Sequence, residues 1–368
     1  MFDVAIVGSG PAGASCATFC ADAGLRTLLL ERERFPREKV CGDCINPACW
    51  PVLERLGVRD AVFDLPHGRL DEVEFIAVSG RSVRLPLPKD RNAEIAVKRS
   101  LFDELLMNRA CKAGADVRQD APVTSVTPSD GISQTWKITT SAGQIEAATL
   151  VAADGRNSTV ARLCKLLPRV AKERVALQTH VPLPNGFGNR VVLQFVPEGY
   201  SGQAPVGCGQ LNVCLVASAK QMPALRRWAE ARFGIDREHS WRTITPLTRA
   251  ALPAARNGLF LIGDAARVVE PFTGEGIYYA LRSGELAAEA LTRLSRGADA
   301  AKVAGDYIAA HRAMYRGRLW VNRLARAAVL SPRISSFVLE AARFQPALLR
   351  LLTAKVVTSN AGRERARL

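Results

Sequence analysis

The chain opens on a short unbroken apolar run, Val4-Ala5-Ile6-Val7. Without alternation, and too short for a helix, such a run suits a strand buried on both faces of a parallel sheet. Ala12 to Ala23 is helix-forming, Gly24 ends it, and Arg26-Thr27-Leu28-Leu29-Leu30 reads as the next strand. Together they make one βαβ unit with a right-handed crossover. A proline-bearing loop, Phe35 to Pro47, leads into a helical stretch through Leu56, and about Leu65 to Val97 is strand-like with turn punctuation. A helix is expected from about Ser100 to Gly114, then short strands ending at Leu150-Val151-Ala152-Ala153. From about Lys172 to Leu252, β-rich runs (Arg190 to Phe195, Leu211 to Ala217) alternate with one helix near Met222 to Phe233. Leu259-Phe260-Leu261-Ile262-Gly263 is another buried strand, followed by a glycine-rich segment, a long helix and a mostly helical tail beyond Ala300.

This order predicts an α/β protein in which a β-sheet domain is inserted into a discontinuous nucleotide-binding domain. The expected divisions are 1–64, 98–171 and 253–300 for the nucleotide domain, 65–97 and 172–252 for the β-rich substrate domain, and 301–368 for a basic helical C-terminal region. No internal repeat or low-complexity tract interrupts the pattern.

Chemistry enters at Gly8-Ser9-Gly10-Pro11-Ala12-Gly13, a G-x-G-x-x-G that follows a strand and opens a helix. Glycines there permit a tight turn, close approach of a pyrophosphate and close helix–strand packing, while the helix N-terminus offers free N–H groups to phosphate. Glu31 ends the second strand, 18 residues after Gly13, where a carboxylate can bond a ribose hydroxyl pair. These residues predict dinucleotide binding without separating NAD from FAD.

Composition narrows the rest. At 368 residues, 48% of them hydrophobic, the chain can bury a sizeable core without disulfides or metals. The nine cysteines are odd in number and scattered, and read as reduced thiols. Cys41-Gly-Asp-Cys44 has C-x-x-C form but no thioredoxin-like βαβ context, so it reads as two unrelated loop cysteines. The four histidines make no metal-ligand spacing, and no metal is expected. The first residues carry no basic lead-in and no run of about 18 apolar residues occurs, so neither a secretory signal nor a spanning helix is expected and the default address is cytoplasmic.

Two further blocks, Ala153-Asp154-Gly155-Arg156-Asn157-Ser158 and Gly263-Asp264-Ala265-Ala266, each follow a strand. With them, the loop Phe35-Pro36-Arg37-Glu38-Lys39-Val40-Cys41-Gly42 and the stretch Pro271-Phe272-Thr273-Gly274-Glu275-Gly276-Ile277, the sequence resembles the FAD-dependent hydroxylase superfamily and, within it, the geranylgeranyl-reductase-like branch. The resemblance spans most of the chain and implies a Rossmann-type FAD-binding domain with an inserted mixed or antiparallel β-sheet substrate domain.

It also implies roles. Gly8, Gly10, Pro11, Ala12, Gly13, Glu31 and Arg32 would hold the nucleotide, and Asp264 a ribityl hydroxyl. Thr273, Gly274, Glu275, Gly276 and Ile277 would present backbone N–H groups to the flavin pyrimidine edge, stabilising the negative charge of the reduced ring. Arg99 matches a family arginine near the flavin phosphate and ribityl region, with a surface salt bridge as its plainer reading. Asp154 and Gly155 would brace the fold. Cys41 would lie near the isoalloxazine and substrate, where a thiol can relay a proton or shape the substrate face; a small loop residue without chemistry is the alternative.

Departures bear on the substrate. The family usually has glycine where this chain has Cys44, and true hydroxylases usually show His where it has Arg267. The branch often carries Tyr-x-Trp-x-Phe-Pro; the corresponding Gly199-Tyr200-Ser201-Gly202-Gln203-Ala204-Pro205 keeps Tyr200, a candidate substrate contact, but lacks the Trp and Phe. No two tryptophans stand two apart, so the W-x-W-x-x-P signature of flavin halogenases is missing. No second G-x-G-x-x-G follows a strand, so NAD(P)H would dock transiently against the flavin, or a partner protein would supply electrons.

The expected reaction is a flavin-mediated redox step on a small hydrophobic organic substrate, lipid-like or carrier-bound. Reduction of a prenyl or quinone-type C=C bond is favoured over hydroxylation of an aromatic or polyketide-like ring; a non-catalytic electron carrier is the reading from another class. The formal charge is +15, and from Ala301 onward thirteen Lys and Arg face three Asp and Glu, a surplus of ten. Arg312, Arg316 and Arg323 recur at helical intervals among Leu319, Trp320 and Leu324. Such a stretch suits a peripheral seat on the inner membrane face, a grip on an acidic carrier protein, or simply a solvated face of helices packed on the core. With no nucleic-acid motif beside the charge, nucleic acid is not an expected partner.

Overall fold

The computed structural model describes residues 1–129, 135–168, 174–269 and 274–316. Thr273 and the basic tail beyond Arg316 lie outside the described residues.

Among the described residues the strands form sheets of eight, seven and three strands. At the centre of the first, strands Phe2–Val7, Thr27–Leu30, Asp116–Arg118, Gly143–Ala152 and Leu259–Leu261 run parallel. Val4, Ile6, Leu29, Val151, Phe260 and Ile262 face one apolar cluster, while Ala5, Val7, Leu28, Leu30, Leu150, Ala152, Leu259 and Leu261 face another. Both faces are covered, which is why these segments read as continuous apolar runs.

Helices Pro11–Asp22, Gly276–Ser295 and Ala300–Met314 cover the first face. The Tyr307 hydroxyl donates to the Leu261 carbonyl at 2.8 Å and ties the last of these helices to the sheet. An antiparallel meander, Val123–Pro128 and Trp136–Thr140 with the start of Gly143–Ala152, covers the second face together with the short helix Thr159–Leu163.

The seven-stranded sheet is built mainly from Val175–Pro182, Arg190–Val196, Gly199–Pro205 and Gln210–Ala217, with Glu72–Ile76 joining it in parallel at Arg190–Val196. Its period-2 alternation divides the faces. Leu177, Val192, Leu211, Val213 and Leu215 pack under helix Met222–Phe233, whereas Ala176, Phe195, Tyr200 and Val216 make a cluster on the opposite side that reaches Val40. The third sheet pairs Cys44–Ile45 with Glu94–Val97, and Glu94–Val97 with His67–Leu70. Part of the expected loop before Pro47 is thus a strand: Ile45 is fully buried, and pairing with Ile95 satisfies backbone that would otherwise be stranded in the core. No helix among the described residues is long and apolar enough to cross a membrane.

Candidate flavin site and the Cys41 turn

Strand Phe2–Val7 ends where helix Pro11–Asp22 begins, and the turn between them has the geometry a pyrophosphate needs. Gly8 sits at φ +103°, and a Cβ there would lie 2.6 Å from the Ala153 carbonyl oxygen. A Cβ on Gly13 would lie 1.8 Å from the Gly8 carbonyl oxygen, so the helix can approach the turn only without a side chain. The helix N-cap, Gly10, makes no side-chain capping bond, and Pro11 occupies the first turn. Its free N–H groups are therefore left for a ligand.

Glu31 is buried at the end of its strand, where its two oxygens accept from Ser9 N–H at 2.8 Å and Glu33 N–H at 3.1 Å. The carboxylate is thereby fixed beside the glycine turn. Arg32 follows, its side chain exposed and paired with Glu33 at 3.3 Å. These residues line a cleft of about 470 Å³ that extends past Arg37, Lys39 and Asp154 to Arg242 on the seven-stranded sheet. A nucleotide lying there would have the first sheet beneath it and the second sheet at its far end.

Positive charge is concentrated at the cleft's inner end. Arg99 opens helix Arg99–Lys112 and grips Asp103, one turn on, through two 2.7 Å bonds; Arg37 reaches the same carboxylate at 3.0 Å. Arg99 is 6% exposed, so this is a buried ion pair and not the surface salt bridge that its sequence also allowed. Lys39 is half-buried nearby, and desolvation together with Arg99 and Arg37 pushes its ammonium down to about 8. Three cations thus surround one carboxylate, next to uncapped N–H groups. A pyrophosphate would relieve that crowding, and in this respect the residues fit FAD.

Asp264 follows strand Leu259–Leu261 in a 3-10 turn, Gly263–Ala265. Arg156 pairs with its carboxylate at 3.3 Å, and Arg249 donates to the carbonyls of Asp264 and Ala265 at 2.7 and 2.8 Å. Arg249 is itself buried, and its Nε and Nη1 have no hydrogen-bond partner among the described residues. Asp154 accepts from Val160 N–H at 3.1 Å and caps helix Thr159–Leu163 while also lining the cleft. Gly274 stands at φ +65°, and Glu275, Gly276 and Ile277 begin the long helix, with Glu275 as its N-cap.

Cys41 is brought to this region by a second set of contacts. Its thiol lies beside the Arg99 guanidinium, and its carbonyl accepts from Asn212 Nδ2–H at 2.9 Å and from the Cys214 thiol at 3.1 Å. Two residues on, Asp43 meets His180 at 2.8 Å, and Asn46 donates to the Gly274 carbonyl at 3.3 Å. The turn therefore lies between the loop at Gly274 and the face of the seven-stranded sheet that carries Tyr200. Tyr200 is buried on that same face, tilted against Phe195 with ring centroids 6.2 Å apart.

The sequence reading missed Asp103, Asp43, His180, Asn212, Arg156 and Arg249 as site residues. Gln178 and His180, and Asn212 and Cys214, are polar at alternate positions of two largely apolar strands, which was the available signal. Among the described residues no cluster of His, Cys, Asp or Glu could hold a metal ion.

Comparison with known proteins agrees with this geometry. The family described as "FAD binding domain" matches residues 1–181. The menaquinone reductase of Mycobacterium tuberculosis is 30% identical over 322 residues, 78% of this chain and 76% of that protein. The digeranylgeranylglycerophospholipid reductase of Thermoplasma volcanium is 28% identical over 312 residues, 78% and 77% of the two chains. Among solved structures, the flavin-dependent brominase Bmp2 superposes with a TM-score of 0.79 at 21% identity, over 100% of this chain and 99% of that one, a likeness of fold alone. The chain belongs to the FAD-dependent hydroxylase superfamily, in its geranylgeranyl-reductase-like branch, and is an FAD-dependent oxidoreductase.

Proposed function

We propose that this enzyme saturates a carbon–carbon double bond in a hydrophobic, prenyl- or quinone-type substrate, with NAD(P)H as the ultimate reductant docking transiently. Bound FAD would supply the electron pair. What this chain must add is a proton at the second carbon, in a place from which water is excluded. The observation that carries the reading is the place of the Cys41 thiol, beside the buried Arg99 guanidinium on a turn that borders the apolar face of Tyr200, Phe195 and Val216. Cys41 Sγ is the group that would hand over that proton. That face is apolar, as the wall of a seat for a chain-like substrate has to be. The names of the reductase relatives, both of lipid-borne isoprenoid compounds, support the same substrate class.

The basic region from Ala301 onward would bring the enzyme to an anionic membrane surface or an acidic carrier holding such a substrate. Product mass tests the reading: reduced enzyme incubated with prenylated quinones or prenyl lipids should yield products heavier by two hydrogens, and a gain of one oxygen would establish hydroxylation in its place. Cys41→Ala should lower turnover on the order of 10²-fold or more, the usual size of a lost proton transfer, with flavin content unchanged. Unaltered turnover would remove Cys41 from the chemistry.

A further inference from the structure

The face of the seven-stranded sheet opposite helix Met222–Phe233 carries a buried polar stripe that the chemistry above does not use. Gln178 pairs with Cys214 and His180 with Asn212 across neighbouring antiparallel strands, so the four side chains share one face. Gln178 and Asn212 are almost wholly buried. Burying such groups is costly unless they are bonded, and here the bonds run out of the sheet. Gln178 Nε2–H donates to Asn212 Oδ1 at 3.0 Å and orients its amide, whose Nδ2–H donates to the Cys41 carbonyl. Cys214 donates to the same carbonyl, and His180 Nε2 lies 2.8 Å from Asp43 Oδ2. The whole stripe converges on two residues of one turn.

Asp43 is an unusual residue to find in that place. It is 1% exposed and holds a left-handed backbone, φ +62°, that non-glycine residues seldom adopt. Its carbonyl accepts from Val97 N–H at 3.0 Å, and its second carboxylate oxygen has no hydrogen-bond partner among the described residues. The contact with His180 is therefore the carboxylate's principal anchor. Burial raises the Asp43 carboxyl above its ordinary range, while the bond to His180 pulls it back. The other groups facing it are Arg99 from its helix, Glu38 from the preceding loop, Cys214 from the sheet, and Cys41 and Cys44 of its own turn.

We propose that Asp43 and His180 are positioning residues for Cys41: their hydrogen bond latches the turn onto the seven-stranded sheet, and the latch tightens when the imidazole is protonated. A neutral imidazole can donate Nε2–H to the carboxylate, but an imidazolium makes the bond charge-assisted and roughly twice as strong. The placement of Cys41 beside Arg99 thus follows a proton held two residues away.

The test uses the full-length, FAD-loaded protein without substrate, so its failure would leave the reductase reading standing. Iodoacetamide alkylation of Cys41 is followed by peptide mass spectrometry between pH 5 and 9, with the exposed Cys111 as internal reference. The curve of the Cys41 rate against pH should differ in shape between wild type and His180→Gln, because only wild type carries an imidazole on Asp43. His180→Gln keeps a donor for Asp43 but carries no imidazole; its rate at pH 7 should stay within about twofold of wild type. His180→Ala frees the turn and should raise the Cys41 rate about fivefold or more at pH 7, with Cys111 unchanged. Curves of the same shape in wild type and His180→Gln, or an unchanged rate in His180→Ala, would each overturn the proposal. Should His180→Ala fail to load FAD, the wild-type and His180→Gln curves decide alone.

Discussion

Gly13→Ala protein is expected to purify with less than about one-tenth of the wild-type flavin, because the helix that presents its N-terminus to the pyrophosphate can no longer sit where it does. The added Cβ would meet the Gly8 carbonyl oxygen at 1.8 Å, the Gly8 carbonyl carbon at 3.0 Å and the Ala153 Cβ at 3.1 Å. Two of these atoms are backbone and cannot rotate aside. Overpacking of this kind commonly costs about 1–3 kcal/mol. The relief available is a shift of helix Pro11–Asp22 away from the turn, which moves the very N–H groups that FAD requires. Gly10→Ala is the informative companion. Its Cβ would meet only the Arg37 guanidinium, at an ordinary 3.6 Å, so the apo fold should keep its melting temperature while flavin affinity falls. Absorbance near the flavin band, measured per mole of purified protein, checks both. A Gly13→Ala protein that retains full flavin would show that the helix can yield without loss of the site.

Asp103→Ala should be the most destabilising single change near the site. Asp103 is fully buried, accepts both Arg99 bonds, and also neutralises Arg37. Without it, two largely buried guanidinium groups and Lys39 face one another unbalanced. Removing one partner of a buried pair costs about 3–5 kcal/mol. For a chain of this length that corresponds to a fall of about 5 °C in melting temperature, scaling the unfolding entropy per residue.

The pH dependence gives a second reading of the same residue. Burial by itself would raise the Asp103 carboxyl, but Arg99, then Arg37, hold it net below its ordinary value. A carboxyl whose folded pKa is depressed contributes stability that is present above the unfolded value, about 3.9, and lost as pH falls through the folded one. Wild type should therefore lose an increment of stability below about pH 4 that Asp103→Ala lacks. Thermal melts across that range, with and without added FAD, measure it. Parallel wild-type and variant curves would show that Asp103 is not the carboxylate responsible.

The two variants probe opposite sides of one site. At Gly13 the fold excludes a side chain so that a ligand can come close; at Asp103 it supplies a single negative charge where the surrounding cations call for more. The difference is what an incoming pyrophosphate makes up.

The amino-acid sequence alone determined the central βαβ unit, because its strands are buried on both faces and so show as unbroken apolar runs around a glycine turn. It also carried the expectation of dinucleotide binding at Gly8–Gly13 and Glu31, whose parts lie within a few tens of residues of each other and whose spacing is itself the signal. What only the tertiary structure decided is the surroundings of Cys41. Arg99, Asp43, His180, Asn212 and Cys214 come from a helix, a turn and two strands distant along the chain, and no periodicity records that they meet. Arg99 illustrates the reason: the Arg-x-x-x-Asp spacing announces a helical ion pair, but whether that pair is solvated or buried beside a thiol depends on what packs over it. Local propensity is written in neighbouring residues, whereas burial, and the electrostatics that burial amplifies, belongs to the assembled sheets.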